Sequence, residues 1–325
     1  MPDLAHKLTD EELTALERKI KREYERAGKE VAKRWKQFSA ELKTEGDELL
    51  AAIKSAPDAA EKKLAGAKYG KWLKDKTLLD KRFTAVSDRI VSDLTKTNQL
   101  AASLMGERMN RVFALNHNFA AYELEHGLGL NLRFDLYDER TVARLLRDNP
   151  ALLPKPKVDI PLDKLWNKSK INSAITQAIL TGEPIDAIAD RLQHVTDMNR
   201  RSAVNNARAA MTGAQNAGRL ESYEYAQSTG IKLKKEWLAT LDDRTREEHR
   251  VLDGQKVDID EPFKAMGAEI MYPGDPDADG YMVYGCRCTM ISDVEGLDEL
   301  DKKYREPSAA SRQTYSEWEA SKHGG

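Results

Sequence analysis

The stretch ALLPKPKVDIP, residues 151–161, divides a sequence of 325 residues into two parts of different character. With Pro150 it brings four prolines close together, and proline lacks the amide hydrogen that a helix interior needs. Between Pro57 and Pro150 the sequence contains no proline, so long helices can form there. Residues 150–161 are therefore predicted to be a non-helical linker between two domains.

Residues 1–149, before this linker, carry apolar side chains at steps of three and four, the spacing of one helix face. One such series runs from Leu13 to Leu42, and another runs from Phe83 to Phe119. The first part is therefore predicted to be a helical N-terminal region in which a few long helices form an antiparallel bundle.

The second part begins with helical patterns and changes near residue 231. The segments IKLKKEWLAT (231–240) and MVYGCRCTMI (282–291) are typical of strands. The predicted fold class is α+β: a mostly α-helical N-terminal region, then an α+β C-terminal domain with a small antiparallel sheet over residues 162–300. Trp166 and Trp237 are expected to anchor its core, and residues 301–325 are expected to form a frayed polar tail.

The charge balance limits the partners that the whole surface can attract. A net charge of −2 argues against general binding of nucleic acid, but a local patch remains possible. Residues 18–36 contain nine lysines and arginines against three glutamates. This segment predicts a DNA contact, and an ordinary solvated helix face is the alternative. The residues predicted to contact DNA are Lys29, Lys33, Arg34 and Lys36.

The sequence contains no run of 18 apolar residues and does not begin with a secretory signal pattern. We therefore expect no contact with a membrane and synthesis in the cytoplasm.

The cysteines, Cys286 and Cys288, are too few for a disulfide framework, so they are expected to be free or metal-bound. Together with His249 they offer three ligands that Zn²⁺ prefers, and Asp242 is the expected fourth. A Cys-x-Cys pair is a weaker metal signal than paired Cys-x-x-Cys motifs. The alternative is a metal-free brace, in which Arg287 pairs with an aspartate and the thiols pack.

The segment WLATLDDRTREEHRVLDGQ (237–255) is followed by Pro-Gly-Asp at 273–275 and Cys-Arg-Cys at 286–288. In order and spacing this set resembles the C-terminal region of the phage Mu F-like head-morphogenesis proteins. The resemblance covers about the last half of the chain, from near Trp166. Two positions depart from the family's usual pattern: Ala210, where an acidic residue is common, and Gly285, where Asn is common. The matching residues are Trp237, Asp242, Arg244, Thr245, Arg246, His249, Gly254, Pro273, Gly274, Asp275, Cys286, Arg287 and Cys288.

The resemblance implies a minor capsid protein of a tailed bacteriophage, a low-copy structural component that acts in head assembly and is not an enzyme. It places the protein near the portal or the inner shell, inside the capsid of the virion, and suggests a part in DNA delivery. The implied partners are the portal protein, the major capsid protein and packaged DNA. The alternative is a metal-dependent enzyme acting on nucleic acid or nucleotides, in which Asp242 would orient His249.

Overall fold

The computed structural model describes residues 3–129, 131–149, 153, 159–295 and 313–323, and most of these residues are helical. The helices are α1 Leu4–Ala40, α2 Lys43–Ser55, α3 Ala59–Lys76, α4 Lys81–Leu128, α5 Glu139–Asp148, α6 Ile160–Thr181, α7 Ile188–Ser228, α8 Glu247–Leu252, α9 Gly280–Val283 and α10 Tyr315–His323. The strands are β1 Leu233–Leu238, β2 Lys256–Asp258, β3 Phe263–Ala265, β4 Ala268–Ile270 and β5 Thr289–Val294.

Helix α6 begins inside the predicted linker, at Ile160. The side chain of Asp159 accepts a hydrogen bond from the amide of Leu162, and Pro161 occupies the first turn. A proline is tolerated there because the first amides of a helix have no partner within the helix. Helix α6 thus includes the last two residues of the predicted linker, whose bounds stay a prediction, and Pro150, Pro154 and Pro156 lie outside the described residues.

Two compact units can be distinguished by their internal packing, and each combines segments that are distant in sequence. Residues 18–103 and 157–204 form one unit, called here the helical unit. Residues 1–17, 104–156 and 205–325 form the other, called here the motif unit. The predicted domain bounds follow the order of the chain and stay a prediction.

The helical unit has its core around Trp35, which is fully buried and donates a hydrogen bond from Nε1 to the carbonyl oxygen of Ile185 at 2.7 Å. Tyr69 stacks on Trp72 nearby, with ring centroids 5.6 Å apart. Burying each large apolar side chain contributes about 1.5–3 kcal/mol, so this cluster contributes substantially to the unit's stability.

The motif unit contains a three-stranded antiparallel sheet in the order β2-β1-β5, together with the hairpin β3-β4. In the register of β1 and β5, Trp237 lies opposite Met290. Long helices followed by a small antiparallel sheet confirm the predicted fold class. Trp237 is fully buried, as expected of a core anchor. The same expectation for Trp166 was wrong, because its side chain is 39% exposed on α6 of the helical unit.

The end of the chain also differs from the expected frayed tail. Helix α10 packs on α4, where Trp318 is buried and donates a hydrogen bond from Nε1 to Glu125 at 2.6 Å. Lys322 pairs with the same carboxylate at 2.9 Å. Residues 296–312, 324 and 325 lie outside the described part.

In the described part of the chain, no helix is both long enough and apolar enough to cross a membrane.

Candidate functional site

Three buried side chains of the motif unit form a group with the character of a metal site. His249 lies on α8, while Cys286 and Cys288 lie between α9 and β5. Each of the three is only 3% exposed, and their ligand atoms all lie within 4.8 Å of one another. The structure thus brings together three of the four predicted zinc ligands.

The orientation of His249 leaves one ring nitrogen available to the thiols. Its Nε2 lies 2.9 Å from the carbonyl oxygen of Met282, which can only accept, so Nε2 carries a hydrogen and donates it. The other nitrogen, Nδ1, lies 3.3 Å from Sγ of Cys288. That contact can hold a proton shared by the two atoms, or a cation when both are deprotonated. Metal-binding histidines are commonly held by a carbonyl in this way.

The thiols differ in their acidity because they interact with each other. The hydrogen bond between them, together with His249, lowers the pKa of Cys288. The same hydrogen bond and the burial of the side chain raise the pKa of Cys286. A thiolate is the form of cysteine that binds metals, and Cys288 is the better prepared of the two.

Asp242 lies outside this group, because its carboxylate forms two hydrogen bonds with the guanidinium of Arg287, each of 2.7 Å. It also accepts a hydrogen bond from the amide of Arg244 at 2.9 Å. Arg287 holds the pKa of Asp242 well below its usual range. This ion pair is the one that the metal-free alternative predicted, and it leaves three protein ligands for a metal.

The remaining motif residues connect the loops to each other and to α7. Arg246 donates a hydrogen bond from Nη1 to the carbonyl oxygen of Tyr284 at 2.7 Å. The hydroxyl of Thr245 donates one to the carbonyl oxygen of Thr240. Gly254 has a φ of +74° and donates its amide hydrogen to Trp237 at 2.8 Å. A left-handed φ of this kind strains any residue with a Cβ, so this turn favours glycine.

The Pro-Gly-Asp turn approaches α7 closely. A Cβ on Gly274 would lie 2.5 Å from the backbone nitrogen of Gly213, so only glycine fits there without displacement of the helix. The carbonyl oxygen of Pro273 accepts a hydrogen bond from Asn216 at 3.1 Å. The carboxylate of Asp275 accepts hydrogen bonds from the amides of Met271 at 3.0 Å and Asp277 at 2.9 Å, which closes the turn.

Sequence reasoning missed the contribution of two polar side chains. The side chain of Asn216 on α7 donates a hydrogen bond to the carbonyl oxygen of Pro273 and accepts one from the amide of Met290 at 3.1 Å. It thereby joins the turn to β5. Lys235 on β1 is fully buried and donates to the carbonyl oxygen of Ile259 at 2.8 Å, and burial lowers its pKa to about 8. The alternation of Leu233, Lys235 and Trp237 along one strand face could have revealed that Lys235 points inward.

The enzymatic alternative needs Asp242 to orient His249 through a hydrogen bond. In this structure the two side chains bind different partners. The carboxylate of Asp242 has Arg287, Arg244 and Thr245 as partners, whereas the ring of His249 contacts Met282, Cys288 and, at 3.5 Å, Arg246.

The predicted DNA contact lies on α1, in the helical unit. Lys29, Lys33 and Lys36 are exposed on one face of the helix. Arg34 is turned toward α4 and forms an ion pair with Asp93 at 2.8 Å. Three of the four predicted residues are therefore available together.

Two comparisons find similarity to phage proteins. The model of the family described as "Phage Mu protein F like protein" matches residues 169–291. The minor head protein GP7 of Bacillus phage SPP1 is 28% identical over 253 residues, which cover 75% of this chain and 79% of GP7. No solved structure matches the chain.

Two further relatives are bacterial. NAD(+)--arginine ADP-ribosyltransferase EFV of Enterococcus faecalis is 32% identical over 158 residues, covering 46% of this chain and 31% of EFV. The uncharacterized protein YqbB of Bacillus subtilis is 30% identical over 148 residues, covering 43% of this chain and 48% of YqbB. Each of these matches therefore spans less than half of the bacterial relative's length. The matched region, residues 169–291, includes the buried His249–Cys286–Cys288 group and nearly all of the structure around it, and this region is similar to the phage Mu protein F-like family.

Proposed function

We propose that this chain is a minor head protein of a tailed bacteriophage, a low-copy structural component that acts in head assembly. The observation that carries the proposal is the match to minor head protein GP7 over 79% of that protein's length. The contacts of the motif agree with a structural role, because Asp242, Arg246 and Asp275 bind other parts of the same unit.

The proposed location is the interior of the capsid, near the portal or the inner shell, after synthesis in the host cytoplasm. The proposed partners are the portal protein and the major capsid protein. Quantitative mass spectrometry of purified proheads tests this, with the portal protein as the internal reference. We expect the chain in far fewer copies than the major capsid protein. Finding it only in the cytosol of infected cells would overturn the proposal.

The proposal includes no catalytic activity. The similarity to the ADP-ribosyltransferase EFV involves 31% of that protein, so its named activity concerns a much longer chain. The enzymatic alternative also needs an accessible acid–base group, but His249 is 3% exposed. Incubation of the purified chain with NAD⁺ and an arginine-containing protein should therefore yield no modified arginine.

We further propose that His249, Cys286 and Cys288 bind one Zn²⁺. Zinc bonds of about 2.1 Å to nitrogen and 2.3 Å to sulfur place tetrahedral ligand atoms about 3.6 Å apart. The observed separation of Nδ1 and Sγ of Cys288 is 3.3 Å, so the pair needs little adjustment. Two thiols and one imidazole are also the donor types that favour zinc over magnesium or calcium.

Three protein ligands leave the fourth position of this zinc to a water molecule, but all three ligands are only 3% exposed, so the proposed role is structural. Strands β2, β3 and β4 contain three residues each, so the sheets of the motif unit offer few backbone hydrogen bonds. A metal held by α8 and by the segment before β5 would connect distant parts of the unit, and its binding energy would add to folding stability.

We also propose that the exposed basic face of α1 contacts packaged DNA. Lys29, Lys33 and Lys36 continue a series at steps of three and four, called here the basic stripe. Phosphate groups along DNA attract such a row of cations without any sequence preference. The members of the basic stripe are Arg18, Arg22, Arg26, Lys29, Lys33 and Lys36, all exposed.

A further inference from the structure

Helix α6 of the helical unit has two unlike faces, and the outer one is unusual. The inner face is buried against the unit's core through Ile171, Ile175 and Ala178. On the opposite side, side chains follow at steps of three and four and are all exposed. This outer face consists of Leu162, Leu165, Trp166, Ser169, Ser173, Thr176 and Leu180.

The outer face carries no charged side chain, although 33% of the residues in the chain are charged. Leu162 is 61% exposed, Leu165 66% and Leu180 80%. A surface helix normally turns polar and charged residues toward solvent, opposite its buried stripe. Apolar patches of this kind mark interaction sites, and an exposed tryptophan beside leucines resembles the centre of a protein interface.

The shape of the outer face suits another helix. Large side chains lie at its two ends, about 27 Å apart, while Ser169, Ser173 and Thr176 lie between them. Small residues at the middle let a second helix approach closely. Beside Leu165 a groove of about 310 Å³ continues the surface toward Val91 and Ser92 of α4.

The charges that border this face decide what kind of partner fits. Lys164 and Lys168 line the adjoining groove, where Asp88 of α4 pairs with Lys168 at 3.6 Å, and Lys170 lies along the other edge with Nζ 5.6 Å from the centre of the Trp166 ring. A second copy docked through the same face would place lysines against lysines, which is repulsive. A partner with aspartates and glutamates beside an apolar stripe would pair with them.

We infer that the outer face of α6 docks an amphipathic helix of a different head protein, with an apolar stripe flanked by acidic residues. This inference rests on the proposed function, because it takes a component of the phage head as the partner. The leucines and Trp166 supply the large apolar side chains that the contact buries, and the lysines set its orientation.

The first test measures incorporation into proheads. In the variant Leu162→Lys/Leu165→Lys, charge is introduced at the N-terminal end of the face, and incorporation should fall by about tenfold or more, since two large apolar contacts are lost. The matched control is Leu64→Lys/Leu79→Lys, which changes leucines that are 59% and 67% exposed elsewhere in the helical unit. Thermal unfolding of both purified variants should match the wild type, because all four side chains are already exposed.

Normal incorporation of the α6 variant would overturn the inference while leaving the proposed function intact. Absence of the wild-type chain from proheads would instead overturn the proposed function. Equal losses in the α6 variant and the control would show a general effect of added charge and would also overturn the inference.

The second test identifies the partner by photo-crosslinking within proheads, with benzoylphenylalanine at Ser169. We expect a crosslink to a helical peptide of another head protein that contains leucine or aromatic residues beside aspartate or glutamate. A crosslink to a second copy of this chain would overturn the inference. The inference would also be overturned if the purified chain bound phosphatidylserine vesicles and the variant Leu162→Lys/Leu165→Lys did not. The outer face would then bind a membrane.

Discussion

At the scale of single residues, the two interpretations of the motif differ in what Asp242 does. In the metal interpretation built from sequence, its carboxylate is a ligand, whereas in the structure both oxygens bind Arg287. We therefore expect Asp242→Asn to keep about one equivalent of zinc, and Cys288→Ser or His249→Gln to lose it. Elemental analysis of the purified proteins measures this directly.

Stability in a chelator provides the second measurement for the same site. If zinc connects α8 to the segment before β5, its removal should lower the melting temperature of the wild type. Cys288→Ser should melt at the lower temperature with or without the chelator. Less than about a tenth of an equivalent in the wild type, with an unchanged melting temperature, would leave the motif as a metal-free brace.

A buried histidine of the motif unit should make the free energy of unfolding depend on pH. His117 is buried and stacks on Tyr137 at 3.7 Å between ring centroids. Burial lowers its pKa to about 4, although the hydrogen bond with Asn118 and the charge of Asp135 act to raise it. Between the ordinary histidine pKa of 6.5 and about 4, the unfolded chain binds a proton that the folded chain does not. Stability should therefore fall as the pH decreases through this range, by at most about 3 kcal/mol.

The control for this effect is His117→Gln, which cannot take up a proton. We expect the variant to be less stable at pH 7, because the ring stacking is lost, but to lose less additional stability toward pH 4. Urea unfolding at a series of pH values measures both quantities. Equal slopes in the two proteins would show that other groups cause the acid sensitivity.

At the scale of elements, local patterns predicted some features well and others poorly. The steps of three and four correctly indicated long helices, and the alternating segment that contains Trp237 correctly indicated a strand. Trp166 was misassigned because a pattern shows that a helix has an apolar side, but not which surface that side meets. The polar composition around Trp318 concealed a helix that is held by one buried carboxylate, Glu125.

Helix α10 should depend strongly on that one contact. Trp318→Ala removes a buried aromatic side chain and one hydrogen-bond donor to Glu125, and we expect a loss of about 3 kcal/mol in the stability of the docked helix. Hydrogen exchange of the α10 amides should accelerate accordingly. Ser316→Ala, an exposed change in the same helix, should leave exchange nearly unchanged. Equal exchange in both variants would mean that Trp318 does not hold the helix.

At the scale of the whole molecule, the sequence predicted two kinds of structure but not the way in which they combine. The motif unit includes the first residues of the chain, and the fully buried Arg219 shows why. Its guanidinium binds Asp3 at 2.5 Å, Asn116 at 3.3 Å and the carbonyl oxygen of Met290 at 3.2 Å. Contacts between residues 71, 103 and 216 positions apart leave no periodic signal in one sequence, so the segments that meet at Arg219 could not be predicted.

The units differ in charge, although the net charge of the whole chain is only −2. The helical unit contains 28 of the 52 lysines and arginines but only 19 of the 54 aspartates and glutamates. Its charge is therefore positive, and that of the motif unit is negative. An average over the whole chain hides this difference, so the argument against nucleic acid from net charge does not hold for the helical unit.

The basic stripe gives this positive charge a specific place where DNA can bind, and the salt dependence of binding tests it. Each phosphate contact contributes about −0.9 to the slope of log affinity against log salt concentration. Lys29→Gln/Lys33→Gln/Lys36→Gln should therefore reduce the slope by about 2.7, as measured by fluorescence anisotropy with a short duplex.

The matched control is Lys62→Gln/Lys63→Gln/Lys68→Gln, an equal loss of charge at exposed positions of α3. Arg34→Gln should have little effect on the slope, because Asp93 already pairs with that side chain. Equal reductions in both triple variants would indicate that DNA responds to the total charge of the unit, and an unchanged slope in the α1 variant would show that the stripe is an ordinary solvated helix face.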